Sequence, residues 1–235
     1  PTGQVVPTPP GVARFQSGHL WLYEGHVASV QGGPAAGDLV DVLDHRKRFL
    51  GRGLFNPGSK IRVRLLTALD EPIDEQFWLT RFQRAVRLRA RVVRNATAYR
   101  VIHGESDWLP GLIVDRYGPL LVLQTLSFGM DQRKRRFAEM LRELTGVDAV
   151  YERNEVKTRA LEGLPLVRGF LLGEGPTTVE ITEGPARFLV DVAKGQKTGW
   201  FCDQRDNRLV AASLAKGAHM LDAFCHTSAF GIHAA

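Results

Sequence analysis

One stretch constrains this chain more than any other: DEQFWLTRFQRAVRLRARVVR, Asp74 to Arg94. At about 100° per residue, Trp78, Phe82, Ala85, Val86, Ala90 and Val93 fall on one side of a helix. Arg81, Arg84, Arg87, Arg91 and Arg94 fall on the other, with no acid among them. Asp74 and Glu75 open the helix, where its dipole favours negative charge. A helix divided in this way must bury one face against another element. An ordinary solvated face mixes both signs of charge. An arginine-only face can neutralise a phosphate backbone, which guanidinium groups reach bidentately. A plain solvated or inter-domain face is the alternative.

What precedes the helix is strand-rich. LVDVLD (39–44), FLGRGLF (49–55) and IRVRLLT (61–67) are short β-prone runs separated by HRKR and by NPGSK, a strong turn signal. In the third run Ile61, Val63 and Leu65 alternate with Arg62 and Arg64, which predicts an apolar inner face and a basic outer one. ARFQSGHLWLYEG before them reads as a short helix and a turn. Residues 1–72 therefore read as a small, mostly β barrel, with Arg46, Lys47, Arg48, Arg52, Lys60, Arg62 and Arg64 as outward cations. An ordinary charged surface is the competing account of these.

Residues 73–176 mix helix and strand. YRVIHGE, LIVDRYG and LLVLQTL read as strands, 131–145 as a second helix, and DAVYERN as a strand, an α+β order. Arg133 to Arg136 place a basic first turn on that helix, against its dipole. In residues 177–235, TTVEITEG and ARFLVDV predict a hairpin and RLVAASLAKG a helix ending at Gly217. HMLDAFCHTSAFGIHAA reads as strand, tight loop and helix. An acidic strand end before a small-residue loop and a helix N-terminus is how open α/β sheets hold nucleotide-like cofactors, although many proteins share that pattern.

Net charge is +6, from 31 Lys+Arg against 25 Asp+Glu. It divides as +2 over residues 1–72, +4 over 73–176 and zero over 177–235. The surplus favours acidic partners, and the neutral last segment suits a compact ligand better than a phosphate backbone. A 44% hydrophobic, 24% charged chain is globular, and no run of about 18 apolar residues is present. Two cysteines exclude a disulfide framework and a CxxC zinc site, and no metal site is expected. Free thiols and the polar, Pro-rich start fit a cytoplasmic protein. The chain begins without Met and stops in IHAA, which reads as the start of a helix, so a fragment at both ends is expected.

In order, GHLWLYEG, FLGRGLFNPGSKIRVRLLT, YRVIHGESDWLPGLIVDRYG, YERN, GQKTGWFCDQRDNR and LDAFCHTSAFGIHAA resemble the bacterial 23S rRNA large-subunit cytosine-5 methyltransferase family, from about Val12 to Ala235. The resemblance implies a PUA RNA-binding domain over 1–72, a central α+β domain over 73–176, and over 177–235 the opening of an α/β, Rossmann-like class I methyltransferase domain. It implies S-adenosylmethionine as cofactor, held by Lys197, Thr198, Gly199, Phe201, Gln204, Arg205, Asp222, Phe224, Thr227, Phe230 and Gly231. It implies 23S rRNA as partner, contacted through Arg46, Lys47, Arg52, Arg62, Arg64, Arg84, Arg87 and Arg91, no membrane, and a homodimer as a possible assembly.

The family's reaction is methyl transfer to C5 of a cytosine after a thiolate adds to C6, and the target base would have to leave its stack. Its catalytic cysteines lie on later βα units, so no catalytic residue is assigned here, and the 235-residue chain alone is expected to be inactive. The sequence departs from the family at Ser228 and Ala229, where a glycine pair is usual; glycine there permits positive φ and close backbone approach.

Cys202 and Cys225 read as small buried hydrophobes, His103 and His226 as packed or hydrogen-bonded side chains, and Asp203 or Asp206 as a helix cap. GQKTG lacks the glycine spacing of a P-loop. Two other functions fit the residues: a non-catalytic RNA-binding module with a vestigial methyltransferase part, and a methyltransferase of the same fold with another substrate. A TCSC-like cysteine motif downstream would separate both from cytosine-5 chemistry.

Overall fold

The computed structural model describes residues 1–235. The first segment folds into six strands: β1 (Gly3–Pro7), β2 (Trp21–Tyr23), β3 (Val27–Gln31), β4 (Leu39–Leu43), β5 (Phe49–Phe55) and β6 (Ile61–Thr67), with helix α1 (Pro9–Gln16) after β1. Their order is β2-β6-β5-β4-β1-β3, antiparallel except for β1 against β4. The sheet curls around one core of Val5, Leu22, Val40, Val42, Phe55, Val63 and Leu65, the PUA-like barrel expected. Three strands escape the sequence reading: β1, β3, which forms an edge with little burial, and β2, where Trp21–Tyr23 pairs with β6 instead of forming the turn expected after the first helix.

Strands β7 (Ala98–His103), β8 (Leu112–Tyr117), β9 (Leu120–Thr125), β10 (Ala149–Asn154) and β11 (Val167–Leu172) build a second sheet, ordered β11-β10-β9-β8-β7. Only β9 and β10 are parallel, joined through the short helix α3 (Phe128–Gln132) and α4 (Lys134–Thr145). Helix α2 (Glu75–Val92), capped by the Asp74 carboxylate on the Phe77 N–H, packs with α4 on one face of this sheet. The hairpin β12 (Thr178–Glu183) and β13 (Ala186–Asp191) covers the other face. β9 shows the consequence: Leu121 and Leu123 belong to the helix-side core, while Leu120 and Val122 belong to the hairpin-side core. A strand buried on both faces reads as a continuous apolar run.

The barrel docks on the central unit through the outer face of β5 and β6. Leu54 and Leu66 join the helix-side core, and Gly129 of α3 lies so close that a Cβ there would meet the Leu54 side chain at 2.7 Å. This corrects the outward basic face. Arg64, 8% exposed, donates to the buried Glu162 carboxylate at 2.9 Å. Arg52, also 8% exposed, pairs with Asp41 at 2.7 Å and Asp70 at 2.9 Å. Arg62 is partly buried against Glu24. Alternation revealed the inner face of β6 correctly, but the other face meets protein rather than water.

Four further expectations change. Ala90 is exposed, at the end of α2 beyond the buried turns. The basic start of α4 is neutralised by tertiary partners: Lys134 pairs with Glu152 at 2.7 Å and Arg136 with Glu75 at 2.6 Å. The strand expected from His219 to Asp222 does not form, because no neighbouring strand accepts its ladder. Asp203 and Asp206 do not cap helix α5 (Arg205–Leu214); they pair with Lys197 and Arg205, both at 2.9 Å. The last helix, α6 (Ala229–Ala234), lies against α5. No helix is long and apolar enough to cross a membrane.

Candidate RNA and cofactor surfaces

Helix α2 carries two adjoining surfaces. Arg84, Arg87 and Arg91 are exposed, make no ion pair, and line a groove of about 410 Å³ with Arg81, Ser106, Asp107 and Trp108. The groove's arginines are left unneutralised, because its acid is already used: Asp107 takes Arg89 bidentately, at 2.5 and 2.8 Å. Arg81 is packed between the Phe77 and Trp108 rings and donates to the Leu66 carbonyl at 3.0 Å, so it shapes the groove wall. Arg46 and Lys47 stand exposed on the β4–β5 turn, separate from this groove.

At its C-terminal end α2 borders a second cleft, about 510 Å³, through Arg89, Val92 and Val93. Lys197, Trp200, Cys202, Asp203 and Arg205 form its other wall. Two buried polar knots hold that wall. In one, the Thr198 hydroxyl donates to Asp115 at 2.5 Å and meets the Tyr117 hydroxyl at 2.7 Å, while Arg100 holds the same carboxylate at 2.8 Å. Burial, with the nearby Cys202 and Asp115, pushes the Tyr117 phenol well above its ordinary range. In the other, Glu183, 1% exposed, accepts Arg208 at 2.7 and 2.8 Å and Trp200 Nε1 at 3.3 Å, and meets His233 Nε2 at 3.1 Å. Glu183 thus ties α5 and α6 to the hairpin.

Of the residues assigned to the cofactor, Thr198 and Gly199 are buried, and Thr198 is committed to Asp115 and Tyr117. The Lys197 ammonium sits over the Phe201 ring at 4.4 Å, and Phe201 meets the His226 ring at 5.6 Å. This aromatic pair joins the 197–205 stretch to the 222–231 loop. Asp222 accepts the Gly231 N–H at 3.0 Å and so closes that loop. Phe224 and Thr227 are exposed, Phe230 lies near the Arg208 guanidinium at 5.9 Å, and Gln204 and Arg205 are half-buried at the rim. Phe224, His226 and Ser228 all adopt positive φ. Ser228 therefore takes the conformation for which glycine is suited.

Cys225 and His103 are exposed, which corrects the buried and packed roles expected of them, while His226, also exposed, keeps a packing contact with the Phe201 ring. Cys202 is half-buried, and burial pushes its thiol up to about 12. It is therefore protonated at neutral pH and unsuited to nucleophilic attack. No cluster of three or more potential metal ligands is present. Glu183 and Asp115 were missed from the sequence, yet a signal existed. Glu183 lies in phase with the inward Val179 and Ile181, and Asp115 in phase with the inward Tyr117. An acid on the apolar phase of a strand requires buried partners.

Residues 8–68 match a family model described as a PUA-like domain. The ribosomal RNA large subunit methyltransferase I of Shewanella denitrificans is 43% identical over 232 residues, 96% of this chain and 58% of that protein. Its namesake from Alteromonas mediterranea is 39% identical over 236 residues, 99% of this chain and 59% of that protein. Among solved structures, a Streptococcus mutans protein assigned as a SAM-dependent methyltransferase superposes with a TM-score of 0.77 at 19% identity, over 98% of this chain and 60% of that one. Another, assigned as a methyltransferase and complexed with SAH, gives 0.78 at 19% identity, over 98% and 59%. These two show the shared fold. The chain spans less than two thirds of the relatives it matches. Over nearly all of its own length it is homologous to the ribosomal RNA large subunit methyltransferase I proteins, as its motifs resemble.

Proposed function

We propose that this chain is the RNA-positioning and cofactor-binding part of an S-adenosylmethionine-dependent methyltransferase acting on large-subunit rRNA, with C5 of a cytosine as the methylated atom. The observation that carries the reading is the 43% identity to a named rRNA methyltransferase across 96% of the chain. The unpaired Arg84, Arg87 and Arg91 beside the 197–205 cleft are the geometry that supports it. One helix then presents RNA-binding charge and a wall of the cofactor region together. A cytoplasmic protein, with or without a homodimeric state, is consistent with that role.

The residues fit the cofactor in part. Positive φ at Phe224, His226 and Ser228 turns the 222–231 loop tightly, and Asp222 holds its two ends together. Lys197, Gln204, Arg205, Phe224, Thr227 and Phe230 are the side chains left to contact the ligand, with Gly199 and Gly231 offering backbone. Thr198 acts through position, by anchoring the loop to Asp115 and Tyr117. When bound, S-adenosylmethionine supplies an electrophilic methyl group. The chain's own residues orient the RNA and hold the 197–205 loop; neither cysteine is placed as a nucleophile.

Isothermal titration of S-adenosylmethionine into the full-length protein tests the cofactor assignment. Arg205→Ala and Asp222→Ala are expected to weaken binding, and wild-type affinity in both variants would place the cofactor elsewhere. Label from tritiated S-adenosylmethionine appearing at a base other than cytosine would refute the finer assignment.

A further inference from the structure

A cleft of about 680 Å³ opens between the barrel and the central unit and shares His103 with the cleft bordered by the 197–205 stretch. Its volume lies in the range of small-ligand sites, about 300–1,000 Å³. Trp21 and Tyr23 of β2 stand on one wall, with ring centroids 6.2 Å apart and planes at 82°. The 157–162 turn also lines it, where Thr158, Ala160 and Leu161 are exposed, as do Gly104 and Gly111.

Of its two acids, Glu162 is buried and accepts from Ser59 at 2.6 Å, Arg64 at 2.9 Å and Asn56 at 3.0 Å, while Glu105, its side chain 39% exposed, accepts Trp21 Nε1 at 2.9 Å. Arg64 lies 5.3 Å from the Trp21 ring centroid, and its Nε–H, buried, has no partner. Lys60 at the rim is exposed and makes no ion pair. An aromatic wall beside the free Lys60 ammonium fits a flat heteroaromatic ring that carries a phosphate.

We propose that this inter-domain cleft binds a single unstacked nucleotide, its base against Trp21 and its phosphate toward Lys60. As a nucleotide of RNA, this occupant rests on the proposed function; as a free nucleotide, it does not. The site would grip an extrahelical residue of the RNA while the arginine groove, lined by the other end of the 104–108 turn, holds phosphates.

Fluorescence anisotropy with two RNA hairpins, identical except for one bulged nucleotide, tests this on the 235-residue chain. The chain is expected to prefer the bulged hairpin by about tenfold, the scale of one base–aromatic stack. Trp21→Leu removes the stacking ring, and Ala160→Trp fills the cleft from an exposed position without disturbing the core. Both are expected to abolish the preference and keep wild-type affinity for the paired hairpin. Equal binding of the two hairpins by the wild type, or an undiminished preference in Ala160→Trp, would overturn the nucleotide site while leaving RNA binding intact. If neither hairpin binds, the RNA reading fails, and titration with AMP and UMP decides the cleft: binding that Ala160→Trp abolishes supports a free nucleotide, and no binding overturns the proposal.

Discussion

Glu183→Ala should free the last two helices without unfolding the sheet beneath them. The Glu183 and Arg208 side chains are 1% and 4% exposed, and Glu183 also receives Trp200 Nε1 and meets His233. Removing one partner of a buried ion pair costs about 3–5 kcal/mol, because the other charge stays buried and uncompensated. Here α5 can escape that cost by swinging Arg208 into water. Little apolar burial opposes the swing: Leu209, Val210 and Leu214 on α5 are 41%, 59% and 79% exposed, and Ala229 alone of the last helix joins the core. The loss should therefore appear as local opening. At about 1.4 kcal/mol per decade, native-state hydrogen exchange should accelerate by roughly two to three orders of magnitude across 206–214. Amides of β8 and β9 should keep wild-type protection. Glu183→Gln retains an acceptor oxygen and should fall between the two. Unchanged exchange in α5, or equal loss across α5 and the central sheet, would refute the claim that this carboxylate is the tie.

Replacing Arg84, Arg87 and Arg91 together by Ala should flatten the slope of log K against log salt for RNA by about 2–3, at about 0.7–0.9 per phosphate contact, measured by filter binding; an unchanged slope would mean that the groove is only solvated. At pH 8, iodoacetamide should label exposed Cys225 and spare Cys202, whose thiol is pushed up to about 12, as read by peptide mass mapping. Because the folded state keeps the Cys202 proton and an unfolded thiol loses it near pH 8.5, the contribution of this thiol to stability is complete below about pH 8.5 and falls away as pH rises toward 12. Ser228→Gly should slow exchange of the α6 amides, since Ser228 holds φ of 53° at a cost of about 1–2 kcal/mol that glycine does not bear; unchanged exchange would remove strain from the account of that loop.

Local chemistry was enough to determine the long helix and the acidic residues that open it, the strands β4 to β10, the hairpin, and the order of motifs that marks the relatives. Each rests on periodicity, turn residues or spacing within a few tens of residues. What a second face of an element meets depends on distant parts of the chain. IRVRLLT alternates as a half-exposed strand should, yet Arg64 is buried because Glu162, 98 residues away in sequence, closes over it. GQKTG has the look of a ligand loop, yet its threonine is held by Asp115 and Tyr117. HMLDAF is apolar enough for a strand, but a strand exists only where a neighbour accepts its hydrogen bonds. A sequence can therefore specify which groups are apolar, charged or turn-forming, while the partner that desolvates or satisfies each of them is chosen by the packing of the whole chain.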